Sequence, residues 1–99
     1  MENNFFVYVL YNKIGNKIYI GYTNNLTIRL LRHNKYLPSK KSSFTSKNKG
    51  LWSLIYRESY INRKEAIKRE KWLKSGIGRS FVHKNLKEWI IKSQLVDPP

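Results

Sequence analysis

The first hydrophobic pattern along the chain predicts a β-hairpin. Residues 5–21 form two runs of aromatic and β-branched residues, which favour strands, separated by a short segment rich in Asn and Gly. A loop with an even number of residues would place Tyr8 and Tyr19 on the same face of the two strands. That face would also contain Phe6, Leu10 and Gly21. Tyrosine and glycine are common packing residues in hairpins, but a glycine here also leaves clearance for a substrate.

The pattern changes to a helical period after the hairpin. Good N-cap residues occupy positions 23–25, and a short helix is predicted from Leu26 to Asn34. Arg29 and His33 are one turn apart on this helix and are expected to project together from one side.

The second half of the chain predicts one more strand and two helices. Residues 51–57 alternate well enough for a third strand, which would place Trp52, Leu54 and Tyr56 on one side. Residues 62–74 open with a capping-box pattern and are expected to form a helix that stops before two glycines at positions 76 and 78. A last packing helix is predicted from Arg79 to about Gln94.

A glutamate occupies the middle of the apolar stripe of the helix over residues 62–74. Burying an unpaired carboxylate costs several kcal/mol, so Glu70 requires a partner or must line a cleft. One interpretation is a buried salt bridge with Arg29. The other is that Glu70 faces the tyrosines of the hairpin and binds a divalent cation, since Mg²⁺ often takes only one or two protein carboxylates.

The net charge of the chain indicates a candidate binding partner. The 99 residues contain 20 Lys and Arg against six Asp and Glu, and the resulting net charge of +14 favours a polyanion, with nucleic acid ahead of an anionic membrane surface. Residues 35–50 carry five lysines and little periodicity, and Phe44 within this predicted loop could stack on a base or anchor the loop. The candidate nucleic-acid-binding residues are Lys17, Arg32, Lys40, Lys41, Lys47, Lys49 and Lys74.

Several function classes lack the residues that they require. The chain has no cysteine, which excludes disulfides and thiolate metal sites. Its first residues lack the basic-then-apolar order of a secretory signal, and no stretch approaches the roughly 18 apolar residues that a membrane span requires. The segment Gly76-Ile77-Gly78 lacks the third glycine of a nucleotide-binding loop. We expect a cytoplasmic protein with a single domain over residues 1–95 and a frayed tail over residues 96–99.

Taken together, these residues resemble the GIY-YIG nuclease superfamily, in particular its small single-domain members and the nuclease domain of the bacterial excision-repair endonuclease. The two name-giving motifs correspond to Val7-Tyr8-Val9 and Tyr19-Ile20-Gly21, and they are followed by the segment from Arg29 to Asn34 and by the glutamate-bearing segment 66–78. Two departures are present. Phe6 and Val7 replace the glycine and isoleucine of the first motif, and the asparagine that follows the glutamate helix in several branches has no clear counterpart.

The resemblance implies an α/β (α+β) fold, with a three-stranded antiparallel sheet flanked by helices, and metal-dependent hydrolysis of DNA phosphodiesters. The implied catalytic residues are Tyr8, Tyr19, Arg29, His33 and Glu70. Glu70 would bind Mg²⁺ or Mn²⁺, Arg29 would stabilise the phosphate, and either tyrosine would activate water with help from His33. Branched or nicked DNA in repair or recombination is the expected substrate, with a partner protein and the oligomeric state left open. The alternative is a nucleic-acid-binding module with the same fold and little or no catalysis.

Overall fold

The computed structural model describes residues 4–36 and 50–96 and confirms the predicted α+β fold. Its elements in chain order are β1 (Phe5–Asn12), β2 (Lys17–Thr23), α1 (Leu26–His33), β3 (Trp52–Tyr60), α2 (Arg63–Lys74) and α3 (Gly76–Val96). The three strands form one antiparallel sheet in the order β2-β1-β3, so β1 is central and β2 has an outer edge that no other strand of residues 4–36 and 50–96 pairs with; we call it the free edge of β2. None of the helices in the described ranges is long and apolar enough to cross a lipid bilayer.

The hairpin has the register that the sequence predicts. Asn12 pairs with Lys17, which leaves a loop of four residues, an even number, and the sum of paired residue numbers is odd throughout, as in Tyr8 with Gly21. The buried side chain of Asn12 accepts a hydrogen bond from the Gly15 amide at 3.0 Å, and Asn16 takes a left-handed φ of 51°. The local turn chemistry therefore fixes which side chains share a face.

The sheet separates two hydrophobic clusters. One face has Tyr8 and Leu10 packed with Leu26 and Trp52, and α1 covers it. We call this the tyrosine face. The opposite face, which we call the valine face, has Val7, Val9, Ala66, Leu73 and Val82 at its core, and helices α2 and α3 cover it. The alternation of side chains along β1 accounts for this division.

The third strand departs from the predicted alternation. Val9 pairs with Tyr56 but the next residue, Leu10, pairs with Leu54, so Ile55 is an extra residue in a β-bulge. Residues on either side of the bulge consequently differ in orientation. Trp52 and Leu54 pack on the tyrosine face, whereas Tyr56 packs on the valine face, and the prediction that all three lie on one side is wrong.

A partly buried ionic cluster connects α2 to β3. Glu58 accepts hydrogen bonds from Nε and Nη2 of Arg69, both at 2.9 Å, and from the hydroxyls of Tyr56 and Tyr60. Burial raises the pKa of the Glu58 carboxyl, but the hydrogen bonds from Arg69 and the tyrosines more than offset this effect and hold the pKa below its usual range. The Arg69 guanidinium also stacks 4.4 Å from the ring centroid of Trp72. Because Arg69 directly precedes Glu70, this cluster restrains the α2 backbone next to the candidate carboxylate.

The junction between α2 and α3 is shorter than predicted. The α2 cap is as expected, with the Asn62 side chain accepting from the Glu65 amide at 2.9 Å, but only Ser75 separates the two helices. Gly76 and Gly78 therefore start the last helix, which continues to Val96. A Cβ added at Gly78 would lie 2.0 Å from the carbonyl oxygen of Trp72, so the turn between the helices depends on a glycine at this position.

We expect Gly78→Ala to destabilise the protein because its methyl group would collide with the α2 backbone. The free energy of unfolding should fall by about 1–3 kcal/mol, the usual cost of an overpacked site. Gly76→Ala is the matched control, since a Cβ there has nothing within 4 Å. Urea unfolding followed by circular dichroism measures both variants, and equal midpoints for the two would contradict this account of the junction.

Candidate active site

Tyr8 lies at the centre of the candidate site, on the middle strand of the sheet. Its side chain is fully buried, and its hydroxyl shares a hydrogen bond of 2.9 Å with Nε2 of His33. The same hydroxyl accepts a hydrogen bond from Nε of Arg29 at 3.3 Å. A single phenol thus connects the central strand to the two polar side chains that α1 projects towards the sheet.

Tyr19 completes this group from the second strand. Its ring centroid lies 4.7 Å from that of His33 and 6.1 Å from that of Tyr8, and its side chain also interacts with Tyr8 and Arg29. Four of the five residues that the sequence predicts as catalytic therefore form one group on the tyrosine face, connected through the two tyrosines. They come from three separate elements: β1, β2 and α1.

Gly21 serves a different purpose from the one expected. A Cβ at this position would lie 2.8 Å from both the Tyr8 hydroxyl and Cε2 of Tyr19. The space beside the glycine is therefore taken by the two phenol rings of the protein itself. The prediction that Gly21 provides clearance for substrate is wrong, and we conclude that the glycine allows Tyr8 and Tyr19 to approach each other.

Two asparagines hold α1 in the orientation that the site requires. Asn25 caps its start by accepting a hydrogen bond from the Ile28 amide at 3.1 Å. Asn34 follows its end, and its side-chain amide pairs with the Trp52 backbone, accepting from the nitrogen at 2.6 Å and donating to the oxygen at 3.1 Å. The sequence placed Asn34 at the end of the helix but carried no signal that it joins α1 to β3.

Burial controls the protonation of the central residues. It raises the pKa of Tyr8 to about 12, although the hydrogen bond from Arg29 acts in the opposite direction. It lowers the pKa of His33 to about 4, and the positive charge of Arg29 adds to this decrease. At neutral pH, Tyr8 is therefore a protonated phenol and His33 is a neutral imidazole.

The structure places Glu70 on the other side of the sheet. Ala66 and Leu73, which lie on the same stripe of α2, pack against Val7 and Val9 on the valine face. The expectation that Glu70 faces the hairpin tyrosines is therefore wrong. The predicted alternative of an ion pair with Arg29 is also not found, because Glu70 pairs with Lys74 at 3.5 Å while Arg29 bonds to Tyr8.

A cleft along the free edge of β2 is lined by residues from both sides of the sheet. It has a volume of about 650 Å³, and its lining includes Tyr19 from the hairpin and Lys74 from α2, the residue that pairs with Glu70. The remaining lining comes from residues 16–18 and 20, and from Arg79, Val82 and His83. We call this feature the β2-edge cleft. Tyr19 is thus the member of the tyrosine group that is open to it, whereas Tyr8 is fully buried.

The candidate nucleic-acid-binding residues are only partly brought together. Lys17 and Lys74 line the β2-edge cleft, while Arg32 is exposed on α1. Lys40, Lys41, Lys47 and Lys49, together with Phe44, lie outside the described residues. Neither Arg79 nor His83 is among the residues that the sequence predicts for the site. Their spacing of four residues at the start of the last helix was the available signal, because it places two basic side chains on one helical face.

The sequence matches a known protein family. The model of the GIY-YIG catalytic domain matches residues 4–80, which is most of the chain. The chain belongs to the GIY-YIG family. The tyrosine pair, Arg29 and His33 all fall within the matched residues, as does Glu70.

The GIY-YIG chain also resembles proteins of the UPF0213 group. A UPF0213 protein from Oceanobacillus iheyensis is 31% identical over 74 residues, covering 75% of this chain and 80% of the relative. One from Staphylococcus epidermidis is 31% identical over 70 residues, covering 71% and 79% respectively. The solution NMR structure of a UPF0213 protein from Bacillus halodurans aligns with a TM-score of 0.48 and 23% identity, covering 82% of this chain and 83% of that one.

GIY-YIG nucleases typically use divalent metals, and the residues present fit a site with a single protein carboxylate. Within residues 4–36 and 50–96, no group of three or more histidine or carboxylate side chains could hold a metal ion. Glu70 has a side chain that is only 15% exposed and a carboxylate 3.5 Å from the Lys74 ammonium. This donor set suits Mg²⁺ or Mn²⁺, since Mg²⁺ takes one or two carboxylates and completes its shell with water and phosphate oxygens.

We expect His33 to titrate with a pKa of about 4. An unfolded histidine has a pKa of about 6.5, so the unfolded chain binds more protons between these values and the free energy of unfolding should fall as the pH is lowered through this interval. An NMR titration of the histidine ring protons measures the pKa. His33→Asn should remove the signal that titrates near 4 and His83→Asn should retain it, whereas a His33 pKa near 6.5 would contradict the buried site.

Proposed function

We propose that this protein is a metal-dependent endonuclease that hydrolyses DNA phosphodiester bonds. The observation that supports this function best is the contact group of Tyr8, Tyr19, Arg29 and His33 beside a cleft with basic residues. A phenol, a guanidinium and a neutral imidazole are the groups needed to position water and stabilise charge on a phosphate. Branched or nicked DNA, as arises in repair or recombination, is the proposed substrate.

Arg29 is the proposed phosphate-binding residue. Its Nε donates to the buried Tyr8 hydroxyl, and this bond fixes the orientation of the guanidinium while the terminal nitrogens keep donors for a phosphate oxygen. A donor held in place before the reaction stabilises the charge that develops on the phosphate without reorganisation. Removal of one such donor in other enzymes costs about 3–4 kcal/mol of transition-state stabilisation.

Tyr19 is the tyrosine that we assign to the chemistry. It lines the β2-edge cleft and can contact a water molecule or a phosphate there, whereas Tyr8 is fully buried and has a pKa of about 12. Tyr8 is instead a positioning residue that acts through Arg29 and His33. The sequence left open which tyrosine handles the proton of the attacking water, and Tyr19 is the residue that we propose for this role.

His33 has the protonation state of a proton acceptor. Its ring is neutral at pH 7 and packs directly on the ring of Tyr19. A neutral imidazole in this position can orient the attacking water or accept a proton that passes through the Tyr19 hydroxyl. Its low pKa makes it a weak base, so the proposed role is to position and relay a proton.

Glu70 is the proposed ligand of Mg²⁺ or Mn²⁺. When bound, the cation would supply a water molecule of lowered pKa and neutralise phosphate charge. The Glu70 carboxylate pairs with the Lys74 ammonium at 3.5 Å, and Lys74 lines the β2-edge cleft. The Glu58–Arg69 cluster restrains the adjacent turn of α2 and so limits movement of this carboxylate.

A nucleic-acid-binding module without catalysis is the second candidate, suggested by the altered first motif. The structure places both altered residues in packing positions, because Phe6 packs on the tyrosine face and Val7 is fully buried on the valine face. Neither residue belongs to the contact group of Tyr8, Tyr19, Arg29 and His33. The departures from the motif therefore leave the proposed chemistry intact and favour the enzyme.

The test of this function is DNA cleavage with and without a divalent cation. We expect the protein to cleave branched or nicked DNA with Mg²⁺ or Mn²⁺ and to lose activity in a chelator. Glu70→Gln should lower the rate at least about a hundredfold, because a metal ion supplies several kcal/mol of stabilisation. Glu88→Gln, which changes an exposed carboxylate on α3, is the matched control and should cleave like the parent.

Product formed without added metal, or at the same rate by Glu70→Gln, would overturn the mechanism. Binding of DNA without cleavage under any of these conditions would favour the binding module. The salt dependence of affinity then reports how many phosphates the basic residues contact.

A further inference from the structure

The β2-edge cleft has the chemistry of a binding site for an unpaired nucleic-acid strand. We propose that it binds one single-stranded segment of the substrate, with phosphates on its basic rim and bases on its aliphatic lining, next to the bond that is cut. A site of this kind defines the substrate class of the proposed endonuclease. It rests on that function in one respect only, which is that the scissile bond lies near Tyr19.

The basic side chains of the cleft come from two parts of the fold that approach each other at the sheet edge. Lys17 is exposed on β2, whereas Lys74 ends α2 and Arg79 and His83 lie on the first turns of α3. The short junction at Ser75 brings the α2 and α3 residues to the same rim. A row of basic side chains on both sides of a groove attracts a phosphodiester backbone irrespective of base sequence.

The lining of the cleft favours an unpaired strand over a duplex. Between the cations it exposes aliphatic surface from Ile18 and Ile20, with Val82 beneath them, and the ring of Tyr19 lies at the same edge. The backbone of a duplex presents charge to a protein and keeps its bases stacked inside. Apolar and aromatic surface beside a basic rim is the combination that binds the exposed bases of single strands. The volume of about 650 Å³ suits groups of nucleotide size and is far smaller than a duplex.

The cleft also leads to the proposed catalytic residues. Tyr19 lines it and contacts His33 and Arg29, while Lys74 lines it and pairs with Glu70. A strand that occupies the cleft therefore contacts Tyr19 and also Lys74, the ion-pair partner of Glu70. This arrangement favours substrates in which a single-stranded segment adjoins the cleavage point, such as a flap.

Binding measurements with charge-matched variants test the proposal. Lys74→Gln/Arg79→Gln removes two cations from the cleft, and Lys64→Gln/Lys84→Gln removes two exposed cations outside it, so both proteins have the same net charge. The probe is a short fluorescein-labelled oligothymidylate in a chelator, measured by anisotropy at several salt concentrations. Without a divalent cation, the result is independent of cleavage.

We expect the cleft variant to bind the oligothymidylate at least about tenfold more weakly than the control variant. The slope of the logarithm of its binding constant against the logarithm of salt concentration should be shallower by about 1.4, which corresponds to the loss of two single-strand phosphate contacts. In the parent protein, NMR shifts on adding the oligothymidylate should appear at the amides of Ile18, Ile20 and Val82. Circular dichroism checks that both variants are folded.

Equal affinity of the two variants, or NMR shifts away from the cleft, would overturn the proposal. A preference for blunt duplex over the oligothymidylate would also overturn it. If the cleft variant alone loses binding but no DNA is cleaved, the endonuclease function fails and the single-strand site stands. If cleavage occurs and the two variants bind alike, the endonuclease stands and this site fails.

Discussion

The structure depends on one buried hydroxyl. The phenol of Tyr8 is fully enclosed on the central strand, and a buried polar group of this kind is tolerated only when it has hydrogen-bond partners. Two of its partners, Arg29 and His33, come from α1. The position of that helix is therefore set by chemistry as well as by packing, and Asn34 secures it through its paired bonds to the Trp52 backbone. The rings of Tyr8 and Tyr19 also need space beside β2, and Gly21 provides it because it has no side chain.

Features with a local physical cause could be predicted from the sequence. The parity of the hairpin loop indicated the shared face of Tyr8 and Tyr19, and helical periodicity indicated the common side of Arg29 and His33. The caps at Asn25 and Asn62 follow from side-chain hydrogen bonds within one turn. Each of these depends on neighbours close in sequence, and the structure confirms them.

Features that depend on tertiary packing could not be predicted in the same way. The bulge at Ile55 reverses the orientation of Tyr56, and no pattern in the strand itself signals the extra residue. The face of the sheet that α2 covers decides where Glu70 lies, and this face depends on the path from β3 into α2. The two glycines correctly indicated the end of α2 at Lys74, but nothing in the sequence indicated that the last helix begins at Gly76 or that Gly78 permits the two helices to approach closely. The Glu58–Arg69 cluster likewise joins residues from two elements that the sequence analysis treated separately.

The free edge of β2 is what allows the two sides of the sheet to contribute to one proposed site. Tyr19 belongs to the tyrosine face and Lys74 to the helices of the valine face, and both line the cleft at that edge. The central claim is that Tyr19 takes part in DNA cleavage, and the rate of metal-dependent cleavage by Tyr19→Phe tests it most directly. Tyr11→Phe is the control, because among the described contacts the Tyr11 hydroxyl bonds only to the hairpin loop residue Asn16. We expect the rate to fall about a hundredfold or more for Tyr19→Phe and to change little for Tyr11→Phe, and equal rates for the two variants would contradict the claim.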